Sequence, residues 1–220
     1  MPNKQGQRLS LQIDGEAVCE IDLNASQPSL FSALVGIKMN VGDTWTDAYQ
    51  AVVNKLTIDE DPKALRSKVK QVIVEMTGSG NSQRKGPAKS SEDNLFNETE
   101  GSLLQYDTIR LAALEVMPAL HKLNRSYLNA TGFLSFHEAK ILTETLLRLK
   151  GMGIVAYGVH DCVIVKCSCK AEAIDTYRDI IRNYVLKVHK KSGVPEVVTD
   201  VALRVEELGL GKVKLSGSYK

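Results

Sequence analysis

Two aspartates stand in segments that otherwise read as β-strand, and this pair constrains the fold more than any bulk property does. Residues 17–23, AVCEIDL, alternate Cys19, Ile21 and Leu23 against Val18, Glu20 and Asp22, and a period of two is that of a strand. Asp22 falls where this strand ends and SQPSLFSALVGI begins, a segment with Ser or Gln in position to cap a helix and Pro28 in its first turn. Far along the chain, GIVAYGVHDCVIVKC has two β-rich halves around His160-Asp161, which reads as a hairpin with the Asp at or near its tip. Aspartate is a poor strand former and costs free energy when buried without a partner. If the two strands are neighbours, the carboxylates can share divalent cations; otherwise each Asp simply occupies a turn.

The segments between these points are mostly helical in pattern. One helix is expected over Thr44 to Leu56, and another with Asp61 as cap and Pro62 as first residue, running through KALRSKVKQVIVEM. From Gly78 to Ser102 the chain is polar and rich in Gly and Ser, too long for a tight connection, and so either a functional or a disordered loop. Apolar periodicity returns from Leu103 to about Leu128, where Pro118 should kink or split the helix. Ser135 and Glu138 form a capping box ahead of AKILTETLLRLK, and Gly151 ends that helix. After the hairpin a long helix covers about Ala171 to Lys191, and the tail is ambiguous between strand and helix. No internal repeat is present. The order strand, helices, hairpin, helix predicts an α+β fold with an antiparallel sheet.

Composition narrows the class only modestly. The chain has 220 residues, 43% hydrophobic and 25% charged, as in ordinary soluble globular proteins. It contains no run of 18 or more apolar residues, and MPNKQGQRLS lacks the apolar core of a secretory signal, so a cytoplasmic location is expected. Net charge is only +2, yet Lys and Arg cluster at 63–70, 84–89 and 187–191; such clusters can hold phosphates or can simply be solvated faces. Cys19, Cys162, Cys167 and Cys169 include no CxxC pair, so reduced structural thiols are favoured over a zinc site.

Three segments resemble the motifs of the family A, single-subunit nucleic-acid polymerases. EIDLNASQPSLFSAL is similar to motif A, in which a strand ends in the first metal-binding Asp. RSKVKQVIVEMTGSGN resembles motif B, the fingers helix with an Arg and, four residues later, a Lys, here Arg66 and Lys70 on one helix face. VHDCVIV resembles motif C, whose His-Asp caps a hairpin, and FLSFHEAKILTETLLRLKGMGI resembles the segment leading into it. The resemblance spans about residues 11–170 and takes in both phage or plasmid DNA polymerases and phage-type RNA polymerases. It implies a polymerase-type palm over 1–43 and 103–220, with a reduced helical fingers-like insertion over 44–102 whose flexible loop covers about 78–102. A bacterial, plasmid or phage context goes with it.

The implied chemistry is template-directed nucleotidyl transfer by a two-metal mechanism. Asp22 and Asp161 would bind two Mg²⁺ ions (or Mn²⁺), with the Leu23 carbonyl as a further ligand, clamping the attacking and leaving oxygens roughly 3.5–4 Å apart. Lys70 would contact the nucleotide's phosphates and Arg66 the terminal phosphate. Gln27 would lie near the sugar 2′ position, His160 beside the primer terminus, and Arg84, Lys85 and Lys89 along nucleic acid. The expected partners are a primer–template and nucleoside triphosphates, with room for another chain supplying a thumb or processivity, and no membrane. Departures are clear: Cys162 stands where DNA polymerases carry Glu, and Val74 where an aromatic would offer a base-stacking face. The stretches before Asp22 and after the hairpin imply a minimal chain without exonuclease or thumb. DNA and RNA products both stay open. So do a non-catalytic nucleic-acid-binding or assembly subunit of palm fold and a small metal-dependent nuclease.

Overall fold

The hairpin that opens the sheet follows from Asp14-Gly15. Both residues have positive φ, 51° and 78°, the requirement of a two-residue type I′ hairpin, and they join β1 (Gln12–Ile13) to β2 (Glu16–Leu23). The computed structural model describes residues 8–41, 47–87, 94–97, 99–123, 130–194, 202–207 and the backbone of 211–215. Within them lie α1 (Ser26–Val35), α2 (Ala48–Lys55), α3 (Pro62–Ser79), α4 (Glu100–Val116), a 3₁₀ turn over Pro118–Lys122, and α5 (Ala130–Gly151). The chain continues through β3 (Ala156–Val159), β4 (Cys162–Lys166), α6 (Lys170–Ser192), β5 (Leu203–Glu207) and β6 (Gly211–Leu215).

Every strand pair is antiparallel, and the sheet runs β3-β4-β2-β5-β6 with β1 added on β2. The chain is therefore α+β with an open antiparallel sheet. The period of two in AVCEIDL sets its two faces. Cys19, Ile21 and Leu23 join Val163, Val165, Leu203 and Val205 in the main core under the helices. Val18 turns the other way, with Ile13, Cys162 and Ile164, into a smaller cluster. The segment read as a fingers-like insertion contributes Val52, Val69 and Ile73 to the main core. No helix among the described residues is long and apolar enough to cross a membrane.

Several local expectations change. Ser26 is the first residue of α1 and its cap position is Ala25, at φ 47° with no side-chain cap; the Ser26 hydroxyl turns to Glu138 instead. The expected capping box at Ser135 and Glu138 lies inside α5, which starts five residues earlier at Ala130. Burial of Ala130 and Leu134 lets packing hold a first turn that local signals do not announce. α2 is capped by Asp47, whose carboxylate accepts from the Gln50 N–H at 2.8 Å; Thr44 lies outside the described residues. The polar stretch is shorter than 78–102, because α3 continues to Ser79 and α4 starts at Glu100 behind a Thr99 cap. Inside it, Phe96 is buried and meets the Tyr106 ring edge-on at 5.1 Å. The ambiguous tail forms β5 and β6. Pro118 splits the helix as expected, opening the 3₁₀ turn.

Candidate active site

A cleft of about 510 Å³ opens where β2, the β3–β4 turn, α1, α3 and α5 converge. Asp22, Leu23 and Gln27 line it from the motif A-like segment, Arg66 and Lys70 from α3, and His160 and Asp161 from the hairpin. Residues far apart in sequence thus line one cleft.

Asp161 is placed by the hairpin turn. Val159 and Cys162 are strand partners, which leaves His160 and Asp161 as the two turn residues. His160 has φ 56°, a left-handed conformation costing about 1 kcal/mol for a non-glycine residue. Ala25, at φ 47°, is strained in the same sense at the start of α1. Two strained residues at the rim of one cleft fit the tendency of such strain to gather at functional sites. From below, the buried Tyr177 of α6 donates its hydroxyl to the Asp161 carbonyl at 2.6 Å. Tyr177→Phe would leave that carbonyl without its partner. It is expected to lower stability by about 1–3 kcal/mol, read as a lower urea midpoint at unchanged slope.

The electrostatics of the cleft are balanced among three acids and three cations. Burial pushes the Asp161 carboxyl up from 3.8, against hydrogen bonds from its own backbone and Ser26 and the charge of Arg204. Glu138, on α5, is also pushed up by burial, opposed by its Ser26 hydrogen bond and reinforced by the charge of Asp161. Asp22 is gripped by Arg204 of β5, its strand partner. Arg204 Nε donates to Asp22 Oδ1 at 3.1 Å, and Nη2 closes the fork on Oδ2. Arg66 donates to Asp47 at 3.1 Å and lies 5.4 Å from the centre of the Tyr49 ring; burial pushes the Tyr49 hydroxyl up to about 12. Lys70 is exposed and has no ion-pair partner among the described residues.

Arg84 and Lys85 are not among the residues that line this cleft. Arg84 pairs with Glu75 at 3.3 Å and donates to the Gly86 carbonyl at 2.8 Å. Lys85 is exposed, and Lys89 lies outside the described residues. Val74, 47% exposed, does face the cleft, at the position where an aromatic was expected. All four cysteines are free thiols.

Ser26 and Glu138 were read from the sequence only as helix-capping residues, and Arg204 was not read as a site residue at all. Glu138 is one acid among many on helices, and nothing beside Asp22 in the chain announces a guanidinium 182 residues later.

The donors at hand suit a hard divalent cation. They are carboxylate oxygens, and the desolvation that pushes Asp161 up is a cost that a bound cation offsets. Among the described residues no group of three or more His, Cys, Asp or Glu is arranged to hold a metal ion, and Asp22 is engaged with Arg204. The oxygen donors are of the type that Mg²⁺ takes, while Asp22 itself is held by Arg204. No protein-family model matches the sequence, and no curated protein matches it either.

Proposed function

We propose that this chain carries out template-directed nucleotidyl transfer, in which a primer 3′-hydroxyl attacks the α-phosphate of a nucleoside triphosphate and pyrophosphate leaves. The observation that carries the reading is the convergence of Asp22, Asp161, Arg66 and Lys70 on one cleft, each from the element the polymerase resemblance assigns it. The fold would then be a polymerase-type palm, with α2 and α3 as reduced fingers.

Asp22 and Asp161 would hold Mg²⁺, with the Leu23 carbonyl beside them, and the metal would supply Lewis-acid stabilisation of the transferring phosphoryl group. Lys70, solvated and free to move, meets the phosphates and offsets charge that grows in the transition state. Arg66 is held by Asp47 and the Tyr49 face, so its fork is pre-oriented for the terminal phosphate. Ser26 fixes Glu138 against the Asp161 side of the cleft. Gln27 reads the sugar, and His160 packs at the primer end.

Primer extension with the purified chain tests this, in Mg²⁺ and in Mn²⁺, with deoxy- and ribonucleotides offered separately and Asp161→Asn as control. Templated extension that disappears in the variant is the expected result and fixes the sugar preference. One observation favours a second reading, a non-catalytic nucleic-acid-binding or assembly subunit of palm fold: Arg204 already neutralises Asp22. A folded protein that binds the duplex but never extends it would support that reading and sink the first.

A further inference from the structure

Arg204 occupies the place in the cleft where the proposed chemistry needs other cations. It is the strand partner of Asp22 on β5, so backbone pairing and not chance rotamer choice puts the guanidinium beside that carboxylate. Its fork takes both oxygens of Asp22, so a metal must compete with two charge-assisted hydrogen bonds for that carboxylate. Arg204 also lines the cleft shared with Arg66 and Lys70, and its charge reaches Asp161 and Glu206.

We infer that Arg204 is a phosphate-binding residue held in reserve: it rests on Asp22 until a divalent cation takes that carboxylate, then turns to the polyphosphate of the bound nucleotide. The inference depends on the nucleotidyl-transfer reading of the cleft. A guanidinium and a divalent cation cannot share one carboxylate at contact distance without strong repulsion. Once displaced, a half-buried guanidinium needs a new counter-charge. Asp161 would by then be neutralised by metal as well, and among the described residues Glu206, on its own strand, is a further acid in its field. A triphosphate is a stronger anion than Glu206, and its oxygens match the five fixed donors of arginine. The same residue thus guards Asp22 from stray cations and couples metal entry to nucleotide entry.

Two binding measurements on the full chain separate this from a structural role. Mn²⁺ alone is titrated and the free ion followed by electron paramagnetic resonance. Inorganic tripolyphosphate is then titrated calorimetrically at saturating Mn²⁺. Arg204→Met is expected to bind Mn²⁺ about tenfold more tightly than the wild type, since a charge-assisted fork no longer competes. It is expected to bind tripolyphosphate about tenfold more weakly, having lost the phosphate contact. A residue that only supports the fold would weaken both. Unchanged or weaker Mn²⁺ binding in a folded Arg204→Met overturns the inference and leaves the transfer reading standing. If Arg204→Met does not fold, Arg204→Lys decides. It keeps the charge but not the fork, and should gain Mn²⁺ affinity and lose tripolyphosphate affinity to a smaller degree; no change in either overturns the proposal. Mn²⁺ binding that is absent throughout, or identical in Asp22→Asn and Asp161→Asn, removes the transfer reading and this inference with it.

Discussion

In Asp161→Asn, nucleotidyl transfer is expected to fall by at least about a thousandfold, equivalent to about 4 kcal/mol of transition-state stabilisation, while the protein loses no stability. The activity loss follows from removing a proposed metal ligand, and the retained stability follows from burial. Burial pushes the Asp161 carboxyl up, so its ionised form is less favourable in the folded chain than in the unfolded one. A carboxyl raised in this way favours folding most below its unfolded value, 3.8, and loses that contribution as pH rises through its folded value. Wild type therefore carries a penalty at neutral pH that Asn does not. Urea unfolding in EDTA should show equal stabilities for the two proteins in acid. A gap favouring the variant should open as the pH passes through the raised carboxyl range toward neutrality. A variant that is less stable than wild type at neutral pH would show that Asp161 is kept for the fold and not for chemistry.

Phe31→Ala is expected to produce the largest loss of stability, about 3–5 kcal/mol. Phe31 is 1% exposed on α1 and belongs to the main core, so truncation leaves a cavity as well as losing apolar burial. Against the roughly 5–15 kcal/mol that holds a typical domain together, such a loss brings the chain close to unfolding. Equilibrium urea denaturation at constant slope is the measurement. Leu104→Ala serves as the control, because Leu104 is 68% exposed and should shift stability by less than about 0.5 kcal/mol. The effect should also reach the cleft, since α1 carries Ser26 and Gln27 on its first turn.

What was legible in the sequence were features with a local physical signature. Alternation in AVCEIDL, the Asp61-Pro62 start of α3 and the two β-rich arms around His160-Asp161 each declare themselves within a few residues. Asp61 does cap α3, accepting from the Lys63 and Ala64 N–H groups at 3.1 and 2.9 Å. Asp14-Gly15 is an equally local hairpin signal. The features that stayed hidden depend on partners remote in sequence. Leu203–Glu207 is five residues of mixed apolar and charged type, and pairing with β2 and β6 makes it a strand. The Ser135–Glu138 spacing satisfies a capping rule, yet packing of Ala130 and Leu134 carries the helix past it. Glu138 thereby ends up facing Ser26 across a helix contact, a relation of residues 112 positions apart.

The position of β2 between β4 and β5 also has a consequence for how the protein is made. At ordinary translation rates, roughly ten to forty seconds separate the synthesis of Asp22 from that of Arg204, 182 residues later. Through that interval the nascent chain can close the Asp14-Gly15 hairpin, but β2 waits for both of its other neighbours. Its backbone then has an open edge and its Cys19, Ile21 and Leu23 face an unfinished core, the kind of surface that pairs with other chains. The central strand is enclosed on both sides only once β5 has been made. A pause in translation between β4 and β5 would therefore bear more on the yield of soluble protein than a substitution that costs the finished fold the same free energy.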